Sequence, residues 1–266
     1  MIGSDLAFTP NRVREVWRSG GAPLGSFVFS RASSNVEIIG RAGFDFVILD
    51  MEHAPLGLGE VESHVRAANL CGIAPFVRVP GLDQGLIGRL LDLGAEGILL
   101  PHFGVDREAA KAFGATLRYA PVGHRPSCTG VRAAGYTIGS YADYVQHANA
   151  EVLGIGLVED IEALADLDAI LAEAKIDAVM PGPGDLSTSM GVPGQPTHPR
   201  VREAVAKIMA AARKAGLRVG MYLNSTAEAS DWPGVDFYVY MMDVKVLALA
   251  YAEAAKGIRA AARKAA

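Results

Sequence analysis

Two carboxylates carry the first chemical signal. Glu159 follows the apolar run Val152–Leu157, and Asp185 follows the run Ala178–Met180 by way of Gly182-Pro183-Gly184. A carboxylate pair with room for waters and for a bidentate oxygen ligand suits a hard cation such as Mg²⁺, Mn²⁺ or Co²⁺. The competing use of each is to cap the helix after it. Arg78 lies in the run Pro75–Val79, and its planar fork matches a carboxylate or an enolate oxygen unless a salt bridge occupies it. Asp50-Met51-Glu52-His53 closes another run, and a neutral imidazole moves protons near pH 7 when a carboxylate orients it. Asp50, close in sequence, and Asp92, at the end of a helical segment, are the two candidate orienters. His102, after Leu100-Pro101, is a weaker candidate, with packing its equal alternative.

All of these residues but Asp92 lie at or just past the end of a short apolar run. Eight such runs alternate with helical segments: Ser26–Ser30, Phe46–Asp50, Pro75–Val79, Gly97–Leu100, Val152–Leu157, Ala178–Met180, Arg218–Tyr222 and Phe237–Tyr240. Near-continuous apolar runs are what parallel strands covered on both faces require. The helical segments are Asn35–Arg41, Leu58–Leu70, Gln84–Leu93, Arg107–Leu117, Ile161–Ala174, Pro199–Ala215, Ala227–Asp231 and Val244–Ala265. Eight strand–helix units in 266 residues predict a single (β/α)8 barrel domain over 1–266, whose strand ends converge on one mouth. The connection Arg118–Asn149 is too long for such a fold and is expected to cover a site. Val244–Ala265 is Ala-rich and amphipathic, and packs on the barrel or is exchanged between subunits; Ala262–Ala266 reads as a frayed tail.

Composition removes other classes. The formal charge is −4, so the field that would hold a nucleic acid is absent, and no apolar run approaches a membrane span. Cys71 and Cys128 are far apart and form no CxxC, which fits a reducing cytoplasm. The N-terminus lacks the pattern of a leader, so a soluble, unprocessed protein is expected. Gly182-Pro183-Gly184 matches no nucleotide-binding pattern; with Asp185-Leu186-Ser187 opening a helix, backbone N–H groups there, such as that of Gly184, suit a substrate carboxylate. No lysine falls on a strand to form a Schiff base, so carbonyl chemistry here would use a metal as electron sink.

Together, Gly43-Phe44-Asp45, Asp50-Met51-Glu52-His53-Ala54-Pro55, Val77-Arg78-Val79, Leu91-Asp92-Leu93-Gly94-Ala95 with Pro101, Val158-Glu159-Asp160, and Gly182-Pro183-Gly184-Asp185-Leu186-Ser187 with Met190-Gly191 resemble the HpcH/HpaI aldolase family. The resemblance spans roughly Gly25 to Val246 in order and spacing. It implies a barrel of the phosphoenolpyruvate/pyruvate type and a class II aldolase that needs a divalent metal ion. By motif, Glu159 and Asp185 resemble the metal ligands, which leaves the metal to chelate pyruvate. Arg78 resembles the residue that steadies the enolate, and His53 the base that moves the hydroxyl proton. Asp92 resembles the residue that raises that base's strength from a neighbouring subunit. A homo-oligomer, trimer or hexamer, with an exchanged last helix is implied as well. Two departures stand out: Leu157 where many relatives carry Gln, and Gly184 where many carry Ala.

The expected reaction is reversible retro-aldol cleavage of a 4-hydroxy-2-oxo acid to pyruvate, or a close 2-oxo acid, and an aldehyde. The rivals are a lyase of malyl-CoA or citramalyl-CoA type, for which no basic cluster beside the mouth is visible, and a 2-oxo-acid-binding protein without turnover.

Overall fold

The computed structural model describes residues 8–264. Its strands β1 (Leu24–Val28), β2 (Phe46–Asp50), β3 (Ala74–Arg78), β4 (Gly97–Leu100), β5 (Leu153–Val158), β6 (Ala178–Pro181), β7 (Arg218–Leu223) and β8 (Phe237–Met242) close into a barrel in chain order. Every neighbouring pair is parallel, which is the (β/α)8 architecture the sequence predicts. The helices are α1 (Arg12–Arg18), α2 (Ser34–Arg41), α3 (Leu58–Cys71), α4 (Gln84–Leu93), α5 (Arg107–Thr116), α6 (Tyr141–Glu151), α7 (Leu167–Glu173), α8 (Pro183–Ser189), α9 (Pro199–Lys214) and α10 (Asp243–Lys264).

Two apolar layers hold the barrel. An inner cluster includes Phe27, Phe46, Ile48, Phe76, Leu157, Met180 and Phe237, and an outer one lies between strands and helices. The inner rings fit because glycines face them across the ladder: Gly25 pairs with Phe46, Gly97 with Phe76 and Gly220 with Phe237. A Cβ on any of the three would sit 2.1–2.7 Å from the opposing ring.

Several elements differ from the sequence reading. β1 ends at Val28 rather than Ser30, because the N–H groups of Phe29 and Ser30 donate to the Asp243 carboxylate (2.8 and 3.2 Å). The unanticipated α1 is capped by Asn11, whose side chain accepts from the N–H groups of Val13 and Arg14, and it seats Val13 in the inner cluster. The segment Ile161–Ala174 divides into a 3-10 turn, Glu162–Leu164, and α7.

The larger correction concerns Arg118–Asn149. This segment leads from α5 into β5, so it lies at the strands' N-terminal end, opposite the mouth of its own barrel. It contains most of α6 and is pinned by Arg118 to Asp177 (3.0 Å), Arg125 to Asp92 (2.8 Å) and Arg132 to Asn69 (2.8 Å). It therefore does not cover this chain's own mouth. At the other terminus, α10 runs along the outside with Asp243 its one buried residue. Ala265 and Ala266, the end of the expected tail, lie outside the described residues, as does the stretch 1–7 read for a leader.

Candidate active site

The C-terminal strand ends bring Asp50, His53, Arg78, His102, Glu159 and Asp185 to one mouth. At the end of β2, Asp50 is fully buried. One of its oxygens accepts from the N–H groups of His53 (2.6 Å) and Ala54 (3.1 Å), and the other pairs with Arg78 Nε. Asp50 thus fixes the backbone of the turn after β2 and the guanidinium on β3. It does not orient the His53 ring, which corrects one expectation: both of its oxygens are occupied. Glu52, absent from the sequence candidates, stands where Asp50 was expected, 3.8 Å from His53 Nε2.

Glu52 is the hub of the mouth. Its carboxylate lies 3.1 Å from Arg78 Nη1 and 3.5 Å from His102 Nε2, and its Oε2 is buried without a hydrogen bond. The signal for it was the Asp50-Met51-Glu52-His53 stretch itself, in which a chain leaving a strand can aim an acid beside Asp50 inward. Arg78 is held on three sides, by Asp50, by Glu52 and by the Phe27 ring, whose centroid is 4.9 Å from its Cζ. Its Nη2 has no hydrogen-bond partner among the described residues.

His102 belongs to the mouth and not to the packing. It follows β4 in the left-handed region (φ 51°), and its backbone N–H donates to Glu159 Oε1 at 3.0 Å. Its Nδ1 lies 2.9 Å from Asp160 Oδ2. Partial burial disfavours the imidazolium, yet the Asp160 hydrogen bond and the charges of Glu159, Asp160 and Glu52 leave its pKa above the ordinary histidine value. The buried His64, in contrast, bonds the carbonyls of Glu60 and Ser30 and serves packing, and His198 caps α9.

Glu159 is buried just past β5. Burial pushes its carboxyl up to about 7 against the opposing His102 N–H, and the negative charge of Asp185 adds to the rise. Gly182 makes the space for it: a Cβ there would fall 2.8 Å from Glu159 Cβ and 3.0 Å from its Oε2. Asp185 is exposed in the first turn of α8, where Gly184 also lies and where backbone N–H groups lack partners within the helix. The donor chemistry fits a divalent cation. A buried carboxylate that resists ionisation beside a second carboxylate is a site whose negative charge is uncompensated, and both groups offer hard oxygens. Leu157 is buried in the inner cluster, and its apolar side chain offers no hydrogen bond to a polar ligand.

Asp92 is not in this mouth. It lies in the last turn of α4, which runs antiparallel to the strands and so ends at the opposite face, where Arg125 pairs with it at 2.8 Å. Within one chain it cannot orient His53, which corrects that alternative. Each lysine within residues 8–264 lies on a helix or a connection, so no amine enters the barrel.

Comparison with known proteins shows the family and the fold. The profile of the HpcH/HpaI aldolase/citrate lyase family matches residues 24–232, and the chain belongs to that family. A 2-dehydro-3,6-dideoxy-6-sulfogluconate aldolase of Pseudomonas putida is 36% identical, covering 75% of this chain and 77% of its own. A hydroxypyruvate/pyruvate aldolase of Paraburkholderia phytofirmans is 35% identical over 84% of this chain and 88% of its own. The crystal structure of an HpcH/HpaI aldolase from Desulfitobacterium hafniense superposes with a TM-score of 0.88 at 29% identity, covering 94% of this chain and 97% of that one. The protein is a carbon–carbon lyase, an aldolase of this family. Among the described residues, no helix is long and apolar enough to cross a membrane.

Proposed function

We propose that the chain catalyses reversible, divalent-metal-dependent cleavage of a 4-hydroxy-2-oxo acid to pyruvate, or a close 2-oxo acid, and an aldehyde. The observation that carries this reading is Glu159: a buried carboxyl in a slot kept open by Gly182, its pKa raised by burial and by Asp185. Glu159 and Asp185 would hold Mg²⁺, Mn²⁺ or Co²⁺, and such a cation supplies Lewis-acid polarisation of the 2-oxo group.

The chain's own residues do the rest. Arg78, pre-oriented by Asp50, Glu52 and Phe27, turns its unpaired Nη2 toward the negative charge that grows on the pyruvyl fragment. The first turn of α8 presents the N–H of Gly184 to the substrate carboxylate. His53, at the solvent edge beside Glu52, takes the C4 hydroxyl proton directly or through water and returns it in the aldol direction.

We also read the active assembly as a homo-oligomer. Val246, Leu247, Leu249, Tyr251 and Ile258 lie exposed along α10, and Asp92 can serve a His53 only in another copy. The free cysteines Cys71 and Cys128 suit a reducing cytoplasm.

The test is proton NMR of pyruvate in D₂O with the protein, comparing added Mg²⁺ or trace Mn²⁺ with EDTA. Metal-dependent loss of the methyl signal, followed by aldol product when an aldehyde is added, is the expected result. Turnover that survives thorough chelation overturns the metal assignment.

A further inference from the structure

The mouth has a floor and a rim. The side chains of Asp50, Arg78 and Glu159 are 0%, 9% and 4% exposed, whereas those of His53 and His102 are 59% and 57% exposed. A small 2-oxo acid that reaches Arg78 and Glu159 fills the floor, so the second substrate of the aldol direction meets the rim. Of the two rim imidazoles, His102 is the one locked in place. Its Nδ1 is tied to Asp160 at 2.9 Å, while His53 Nε2 has no hydrogen bond among the described residues and lies 3.8 Å from Glu52.

The backbone points to the same residue. At φ 51° His102 holds a left-handed conformation that strains a non-glycine residue and that a glycine adopts freely. The left-handed turn aims the His102 N–H at Glu159, and that contact needs no side chain. The ring is therefore unexplained by the fold. Because the Asp160 carboxylate can only accept, Nδ1 donates to it, and Nε2, 3.5 Å from Glu52 Oε1, is the ring nitrogen left without a hydrogen bond among the described residues.

From this geometry we infer that His102, oriented by Asp160, recognises a hydroxyl group next to the carbonyl of the acceptor aldehyde, so that the enzyme selects hydroxyaldehydes over alkyl aldehydes. A hydroxyl is the group that fits: it donates to Nε2 of the neutral ring and accepts from Nε2–H of the charged one. An anionic substituent at this point would face Glu52, Asp160 and Glu159 within one side chain's reach of the ring. The inference rests on the aldolase reading above and adds the residue that sets its acceptor preference.

The experiment compares wild type, His102→Gly and His102→Asn in three assays with Mg²⁺ present: pyruvate methyl exchange in D₂O, and aldol addition of pyruvate to glycolaldehyde and to propionaldehyde. Glycine keeps the left-handed backbone and its N–H without the ring, and asparagine tolerates that backbone while restoring a polar group. Wild type should favour glycolaldehyde in kcat/KM. In His102→Gly that preference should fall at least tenfold, chiefly through kcat/KM for glycolaldehyde, with a much smaller change in the exchange rate, and His102→Asn should recover part of it. Exchange and both aldol rates falling in parallel would assign His102 to holding Glu159 alone and overturn the proposal. A preference that is absent in wild type, or that survives in His102→Gly, overturns it as well. Wild type without metal-dependent exchange defeats the aldolase reading itself, and this proposal with it.

Discussion

Gly182 and Glu159 share one space: the carboxylate of Glu159 occupies the volume in which any side chain at 182 would begin, 3.0 Å from Oε2. Gly182 has φ −106°, a conformation open to alanine, so its importance lies in this contact and not in backbone freedom. Gly182→Ala should therefore still fold, at an overpacking cost of about 1–3 kcal/mol, while pushing the Glu159 carboxylate off its position. We expect Mn²⁺ affinity, read by isothermal titration, to drop at least tenfold and metal-dependent exchange to drop with it. Unchanged Mn²⁺ affinity would separate Glu159 from metal binding.

Asp50 and Arg78 form a buried pair whose loss should be felt in both stability and rate. Removing one partner of such a pair leaves the other charge buried without compensation, at a cost of about 3 kcal/mol. Asp50→Asn keeps the shape and leaves one acceptor oxygen for the N–H groups of His53 and Ala54. Its melting temperature should fall by several degrees, and its kcat by more than its Mn²⁺ affinity, because Arg78 loses its anchor while Glu159 and Asp185 do not. Calorimetry with parallel titration checks the split.

The barrel and most of its mouth were legible because the signals are local. Apolar runs mark strands, and in a barrel the residue after each strand is placed by topology alone, which put Asp50, His53, Arg78, Glu159 and Asp185 together without a contact map. What escaped depends on side-chain direction or on which end of the barrel a connection reaches. Glu52 sits in a turn, and so does His102, for which the mouth and packing were equal alternatives, because periodicity is silent about orientation there. His102 adopts a left-handed conformation that no motif announces. Asp92 and the segment Arg118–Asn149 were misplaced for a simpler reason. A connection from helix to strand returns to the N-terminal face, and length alone cannot show that its target is the far end of the chain's own barrel.

Glu96 sets the pH dependence of stability at that far end. It lines a cavity of about 650 Å³ between α1, the turn before β4 and the Arg118–Asn149 segment. Burial, with Glu151 and Glu15 adding and Arg132 opposing, pushes its carboxyl up from 4.5 to about 8. Such a group favours the folded state fully below its unfolded pKa, and the contribution is lost as pH rises through the folded value. Glu96→Gln cannot ionise, so it should match wild type near pH 5 and exceed it above pH 8, on the order of 1–3 kcal/mol after solvent screening. Melting curves at pH 5 and pH 8.5 would show the difference widening with pH; a constant difference would remove Glu96 from the titration.

The last helix offers the clearest test of assembly. Among the described residues nothing covers Leu247, Leu249 or Tyr251, which are 45%, 51% and 74% exposed, and α10 buries only Asp243, the residue that terminates β1. If a second copy covers this stripe, charges placed there must be expelled from an apolar interface, whereas on a lone barrel they cost almost nothing. Leu249→Asp with Tyr251→Asp should reduce the mass measured by light scattering toward that of one chain at micromolar concentration. The far-ultraviolet circular dichroism should stay that of wild type, since neither side chain packs on the barrel. Activity separates two roles for the assembly. If Asp92 of one copy completes the site around His53 of another, the dissociated variant should lose aldol turnover and retain Mn²⁺ binding through Glu159 and Asp185. Full turnover in a proven monomer would leave Asp92 to its pairing with Arg125 and make each barrel sufficient by itself.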